Sequence, residues 1–566
     1  MKKNLLLAAC MLMTAALTQA QTTVNVETAG TLSEQIGNDM KYQITSLKVT
    51  GKLNGTDFIL LRDMAGIDQD NVPTDGKLTS LDLSGADIVS GGEAYYINFT
   101  TNTEYYTSDN KVGNCLFIDC NKLESVKMPA SATEIGDSAF MNCQALADIS
   151  LPEKVTSFGS YAFAETSISS FTFPEGTLPA EGMFKSCGNL TSVTLPAGCT
   201  VIPDRIFTGT DLKEITLPEG LTRIGEDAFS SSSLTSLVCP SSLKEIDGSA
   251  FFMCSNLTSI KLNDGLETIK SSAFSYCDNL ESVEIPNSVT TLEGCFSNCG
   301  KLKEAVLPEG LTAISDYMFN MCMNLESVNM PAGVKSIGEC AFQNCTSLTS
   351  VTFPEGLESI GGNAFYGCYM LEELTLPETV TTLGESCFDG CEGVVSITIP
   401  GSIKTIPTSA FGYMLYLEEL TINEGTTEIG EMAFINCESL TKLSLPSTLE
   451  SIGYAAFAYN MLTEINVNAT TPPACDGTAF ASWESNIPEG CVLYVPDGAK
   501  DAYAQADVWK EFTIEETTTT GINGAAADNA KVTARYGIDG QRLQHKTTGI
   551  NIIRMSDGTS RKVIAH

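Results

Sequence analysis

Cysteine offers this chain more chemistry than any other residue type, and its placement follows a rule. Twenty cysteines occur in 566 residues. Eleven of them (Cys120, Cys143, Cys187, Cys254, Cys277, Cys299, Cys322, Cys345, Cys368, Cys391 and Cys437) each stand three residues after a phenylalanine. A thiolate can attack, ligate a metal or close a disulfide, and an exported chain this rich in cysteine ordinarily carries a disulfide framework. The spacing argues against all three roles. Seven of the eleven, Cys254 to Cys391, fall in consecutive copies of one repeat, so their side chains lean the same way in a column. Stacked strands place such side chains about 4.8 Å apart, whereas a disulfide prefers Cβ atoms about 3.5–4.5 Å apart. Zinc held by cysteines would want histidine companions, and the two histidines, His545 and His566, stand near the C-terminus. Other copies put Thr166, Thr210, Ser232 or Asn460 at this position. The reading is a buried ladder of free thiols, each a small, weak hydrogen-bonding group that satisfies a turn. Cys475 and Cys491 are a separate candidate pair. So many exported thiols imply a habitat where oxygen is scarce.

Acid–base chemistry has little else to draw on. With 69 acidic and 32 basic residues the formal charge is −37, which repels nucleic acid and anionic membrane surfaces. Glycosidases work with two carboxylates, but no pair stands out here from the repeat background. There is no G-x-S-x-G, no H-E-x-x-H and no phosphate loop. The chain therefore reads as a non-enzyme, without cofactor or metal. One stretch, "GGEAYYINFTTNTEYYTSDN" (91–110), gathers Tyr95, Tyr96, Tyr105 and Tyr106. These either pack on the end of the molecule or form an aromatic binding patch of the kind that takes a glycan.

The elements that position these residues repeat. Anchoring phenylalanines fall at 117, 140, 163, 184, 207, 229, 251, 274, 296, 319, 342, 365, 388, 411, 434, 457 and 480, among them Phe274, Phe319, Phe342, Phe365 and Phe388. A period near 23 residues is the signature of a solenoid, in which each copy buries its apolar edge only against its neighbours. Within a copy, an alternating run such as "NLTSVTLPAG" reads as a short strand ended by Pro196 and Gly198. Ile202 and Phe207 close the other wall, on a second extended or helical segment. About 17 coils of this kind stack into a β-rich solenoid with a parallel sheet. Its phenylalanines form an inner column, and truncating one to alanine costs about 3–5 kcal/mol. The outward strand positions are rich in Thr, Ser and Glu, and Glu214, Glu281, Glu284, Glu372, Glu373, Glu418 and Glu419 are the candidate binding residues on that face.

The ends depart from the period. Residues 1–20, with Lys2, Lys3 and an apolar core before Ala20, read as a signal peptide; no other stretch approaches the about 20 apolar residues of a membrane span. Residues 21–114 carry Leu-x-x-Leu-x-Leu runs without the Phe–Cys half and read as an N-terminal cap. The regular array occupies 115–467. Residues 468–515 hold the last anchor and a C-terminal cap with a short amphipathic helix bearing Tyr503 and Trp509. Residues 516–530 form a polar linker, and 531–566 a small β module with turns at Asp539-Gly540 and Asp557-Gly558.

The unit "LxxVxLPxGLxxIGxxAFxxC" resembles the BspA-like, or Treponema pallidum type, leucine-rich repeats. The resemblance covers residues 44–480 and implies a curved, right-handed solenoid. It also implies a surface or secreted protein of anaerobic Bacteroidetes that adheres to host extracellular-matrix proteins or to other cells, with glycan or nutrient capture as the alternative. The tail "YGIDGQRL…TGINIIRMSDGTSRKVIAH" is similar to the C-terminal module of exported Bacteroidetes proteins. That module implies the type IX sorting route, although its full form is longer and ends in basic residues.

Overall fold

The computed structural model describes residues 21–482 and 485–517, and the strands Val532–Gly537, Arg542–Leu543, Gly549–Met555 and Ser560–Ala565. The leader at 1–20 and most of the linker, from 518 onward, lie outside the described residues, as does Cys10; the first linker residue, Glu516, belongs to the strand Thr513–Glu516.

Each coil contributes two short parallel strands. The first lies on the Leu-x-x-Val-x-Leu run and alternates buried and exposed residues, as in Glu419–Ile422 and Lys442–Leu445. Its partners stack in register: Leu420 faces Leu443, which faces Ile465, then Leu493 and Ile514. The second is only two residues long, for instance Ser336–Ile337, and pairs in phase with Ser359–Ile360. The solenoid has about 21 turns, more than the 17 phenylalanines indicate. Thr22–Val26, Ser46–Leu53 and Ser80–Ile88 already belong to the first sheet, as do Val492–Val495 and Thr513–Glu516 at the other end. Those coils bury other residues in place of the phenylalanine.

The segment that carries each phenylalanine is a tight double turn. From Phe117 to Phe457 the residue two after the anchor has positive φ, and so does the residue two before it in every coil but one. Asn, Ser and Asp supply many of these positions, but Tyr317, Met321 and Tyr413 also adopt this sterically costly conformation. The reason is the hydrogen bonding. In each regular coil three N–H groups, two before the anchor, at the anchor and two after it, donate to carbonyls of the next coil. Around Phe342 these bonds are Cys340 to Gly362 at 2.9 Å, Phe342 to Ala364 at 2.7 Å and Asn344 to Tyr366 at 2.7 Å. The left-handed residues turn alternate N–H groups toward the same neighbour.

Inside, the seventeen rings form an unbroken stack. Centroid separations run from 5.0 Å for Phe342–Phe365 to 6.1 Å for Phe184–Phe207. Phe58 meets the first ring edge-on at 5.8 Å, and Trp509 and Phe512 close the last at 5.5 and 5.6 Å. Tyr503 and Trp509 are both buried, with Tyr503 Oη donating to Ala469 O and Trp509 Nε1 to Pro473 O. They sit on a helical turn, Lys500–Tyr503, and a separate 3-10 turn, Trp509–Glu511, instead of one helix.

The thiols sit beside the ring stack. Cys345 Sγ lies 3.2 Å from the carbonyl oxygen of Phe319, and Cys143, Cys187, Cys254, Cys277, Cys299, Cys322, Cys368, Cys391 and Cys437 point in the same way at the anchor of the preceding coil. That carbonyl also accepts an N–H from its own turn, so the thiol takes its second lone pair. Thr166 and Thr210, with shorter C–O bonds, close instead on the anchor of their own coil, at 2.9 and 2.8 Å. The nineteen described cysteines are free thiols and all but Cys475 are buried. Cys475 and Cys491, a candidate pair from the sequence, are thus unbridged. Burial pushes the Cys254 thiol up to about 11 and Cys368 and Cys437 up to about 12, which suppresses the reactive thiolate.

Two measurements check this arrangement. A thiol reagent added to native mature protein should find almost no reactive groups, and unfolding without reductant should release nineteen; two or fewer would overturn the ladder of free thiols. Cys345→Ala should cost about 1–3 kcal/mol in denaturant unfolding, because the donor to Phe319 is lost inside the core, whereas Cys345→Ser should cost less.

Candidate functional site

Every carboxylate singled out from the repeat pattern is solvent-exposed: Glu214, Glu281, Glu284, Glu372, Glu373, Glu418 and Glu419. Glu284, Glu373 and Glu419 take part in first-sheet pairing, at Glu284↔Val306, Ser350↔Glu373 and Glu419↔Lys442. None of the seven has an ion-pair partner among the described residues, although Lys442, beside Glu419, is paired with Glu464 at 3.1 Å. Several basic side chains instead pair on the second strands and turns. Arg205 reaches Glu181, Glu226 and Asp227; Arg223 reaches Asp204 and Asp247; Lys270 reaches Glu245 and Asp247. The strand face therefore carries a row of unpaired carboxylates, interspersed with the exposed Lys127, Lys261 and Lys442. It is also not flat. Where pairing lapses between Leu374–Leu376 and Ser396–Ile399, a groove of about 330 Å³ opens among Thr375, Glu378, Thr398, Glu419 and Thr421. A second, of about 480 Å³, runs beside Val328, Met330, Thr352 and Phe353.

The tyrosine-rich segment is mostly not a surface patch. Gly91–Asn98 and Thr103–Thr107 pair as an antiparallel hairpin over the helix Gly55–Met64. Tyr95 and Tyr96 are buried and Tyr105 is half-buried; of the tyrosines only Tyr106 is open, with Phe99 at the hairpin tip. Tyr95 Oη donates to Asn114 O at 2.7 Å. Tyr96 lies under Arg62, whose guanidinium is 5.0 Å from the ring centroid. Arg62 was not evident from the sequence. It is fully buried, and its Nη1 donates to the carbonyls of Cys115, Leu116 and Ile118 at 3.1–3.3 Å. The carbonyls of Asn114, Leu116 and Ile118 are the ones that a preceding regular coil would satisfy with its three N–H groups. Tyr95 and Arg62 supply the donors that a preceding regular coil would give, which holds Tyr95 and Tyr96 in the interior.

The open aromatics lie elsewhere. Tyr276, Tyr317, Tyr366, Tyr369, Tyr413, Tyr416 and Tyr454 are all exposed, and each belongs to the turn around an anchoring phenylalanine, not to the strand face. The signal was present in the sequence as variable residues within five positions of each anchor. The same turns hold Asp389, which burial pushes up to about 6 from 3.8. Among the described residues no group of three or more His, Cys, Asp or Glu is arranged to hold a metal, and no helix is long and apolar enough to cross a membrane.

A stack of leucine-rich coils with an exposed strand face along its length is a protein-interaction scaffold. The family described as the BspA type leucine rich repeat region matches residues 91–179, 177–294, 293–395 and 358–483, and the chain belongs to it. Similar solved structures include a leucine-rich repeat protein from Bacteroides ovatus, 24% identical over 73% of this chain and 89% of that one, with a TM-score of 0.43. A leucine rich cell surface protein from Faecalibacterium prausnitzii is 26% identical over 57% of this chain and 85% of that one, TM-score 0.39. The Treponema pallidum leucine rich repeat protein is 27% identical over 28% of this chain and 78% of that one, TM-score 0.27. No curated protein matches.

Two outcomes follow from this geometry. Tyr95→Phe should lower stability by about 1–3 kcal/mol in denaturant unfolding, since Asn114 O is left without its donor, whereas Tyr106→Phe should stay within about 0.5 kcal/mol of the parent. Asp389 has a folded pKa above its ordinary value, so its contribution is fully favourable below about 4 and is lost as pH rises through about 6. Asp389→Asn should therefore raise the melting temperature at pH 8 and leave it nearly unchanged at pH 3.5.

Proposed function

We propose that this chain is an exported, non-enzymatic adhesin of the cell surface or secreted space, which holds a protein of host extracellular matrix or of another cell against its strand face. The observation that carries the proposal is the row of exposed, unpaired carboxylates along that face, with Glu372, Glu373, Glu418 and Glu419 flanking or lining the groove beside Ser396–Ile399. A row of unpaired carboxylates, on a chain of strongly negative net charge, suits a partner that presents lysine and arginine at matching intervals, and speeds their encounter. Export is supported by the leader-like composition of residues 1–20, and the tail at 531–566 is the candidate for sorting by the type IX route.

The test is a solid-phase assay of mature protein on extracellular-matrix proteins and whole bacterial cells. Saturable binding should weaken more than tenfold on replacing Glu372, Glu373, Glu418 and Glu419 with Lys, and should fall as ionic strength rises. Replacing Phe99 and Tyr106 with Ala on the capping hairpin should leave it unchanged. Failure of the folded protein to bind any of these surfaces, or binding that ignores the charge reversal, would overturn the reading.

A further inference from the structure

The coil of Phe296 departs from its neighbours. From the second short strand to the anchor there are five steps in the neighbouring coils, as from Ile269 to Phe274 and from Ile314 to Phe319, but only four from Leu292 to Phe296. The missing residue has structural consequences. Gly294, two before the anchor, is the only residue at that position between Phe117 and Phe457 without positive φ, and the usual bond from its N–H to Asp316 O is not made. Instead, the Asp316 carbonyl presses so close that a Cβ on Gly294 would lie 2.2 Å from it. The second sheet ends at Thr291–Leu292 and restarts at Ala313–Ile314. Elsewhere this sheet is interrupted at the coil of Phe184, which forms no second strand and carries Pro179, and where Pro407 follows the strand and has no N–H to give; here Ser315 follows and no proline is involved.

The gap is a cleft of about 480 Å³ on the turn face, away from the strand face, within the size range of small-ligand sites. Tyr276 and Tyr317 stand in its wall, each partly open to solvent and each fixed on a left-handed residue. Phe252 buttresses Tyr276 edge-on at 5.4 Å. Glu293 and Asp316 bring carboxylates to the same cleft. Ser275 and Ser315 belong to its wall, and their Oγ atoms are buried with no hydrogen-bond partner among the described residues; Ser275 is only 2% exposed. In the following coils the residue after the anchor is satisfied by its neighbours: Ser297 Oγ donates to Asn320 Oδ1, and Asn320 Nδ2 to Gln343 Oε1 at 2.7 Å. The row stops at Ser275. An unsatisfied buried hydroxyl is costly, and such an orphan in a native fold asks for an outside partner.

We propose that this cleft binds a short neutral saccharide. A sugar ring has an apolar C–H face to lie on Tyr276 or Tyr317, and hydroxyls that can both donate to Glu293 and Asp316 and pair with Ser275 and Ser315. A cation alone would use the rings and carboxylates but would leave Ser275 and Ser315 without an acceptor or complementary donor, which is why the sugar is favoured. The site shares no residue with the acidic strand face, so it stands or falls independently of protein adhesion.

The experiment is calorimetric and NMR titration of mature protein with maltose, cellobiose, lactose and chitobiose, and with choline chloride as the cationic comparison. At least one disaccharide should bind. Tyr276→Ala and Tyr317→Ala should each weaken it about tenfold or more, and Tyr413→Ala, on another exposed turn tyrosine, should not. Ser275→Ala should weaken binding while leaving the unliganded melting temperature unchanged or higher, a pairing that a merely structural serine would not give. Binding of choline alone, binding indifferent to Tyr276 and Tyr317, or no disaccharide binding by the folded protein would each overturn the proposal.

Discussion

The constraint on which this molecule depends is directional. At every regular turn three N–H groups of one coil point at three carbonyls of the next, and the ring between them stacks on its neighbour at 5.0–6.1 Å. The two interactions require each other. The rings exclude water from the turn, so its polar groups must find protein partners, and the bonds hold the turns at a spacing where rings can touch. The left-handed residues around each phenylalanine are the conformational cost of aiming alternate N–H groups the same way. Cysteine fits beside this arrangement because a thiol is long enough to reach back to the preceding carbonyl and apolar enough to be buried.

The same constraint explains the ends and the exception. The coil of Phe117 has no regular coil before it to satisfy its carbonyls, so Arg62 and Tyr95 are placed there. Burying a guanidinium is tolerated because carbonyl oxygens and the Tyr96 ring surround it. In the coil of Phe296 the chain is one residue too short to reach all three carbonyls, and a cleft replaces the missing bond.

The periodic part of the fold was legible in the sequence because a column is a repeated local choice. Phe at one position, Cys three later and a Leu-x-x-Val-x-Leu strand each declare their environment by recurring. The role of the thiols, and the exposure of the strand glutamates, followed from the same register. What could not be read were features whose meaning depends on a single partner far along the chain. Tyr95 looks like a candidate surface residue until its partner Asn114 is seen, and Arg62 looks like an ordinary helical arginine until the carbonyls more than fifty residues later are placed on it. The coils beyond the seventeen anchors were missed because they bury other residues at the ring position. The exposed turn tyrosines carry no periodic signal, because they occupy positions around the anchor that differ from coil to coil.

The head-to-tail hydrogen bonding gives the rod a polarity: one end presents acceptors, the other donors. Because the regular junctions repeat the same bonds, excising or duplicating one whole regular coil rejoins donors to acceptors, while the two terminal structures stay matched to their own ends. Length can thus vary in single-coil steps through recombination between like repeats, without redesign of either cap. A residue lost just before the anchor leaves a notch, and the coil of Phe296 is what that looks like when the stack on both sides is long enough to tolerate it, whereas the 22-residue steps from Phe207 to Phe229 and Phe229 to Phe251 keep all three bonds.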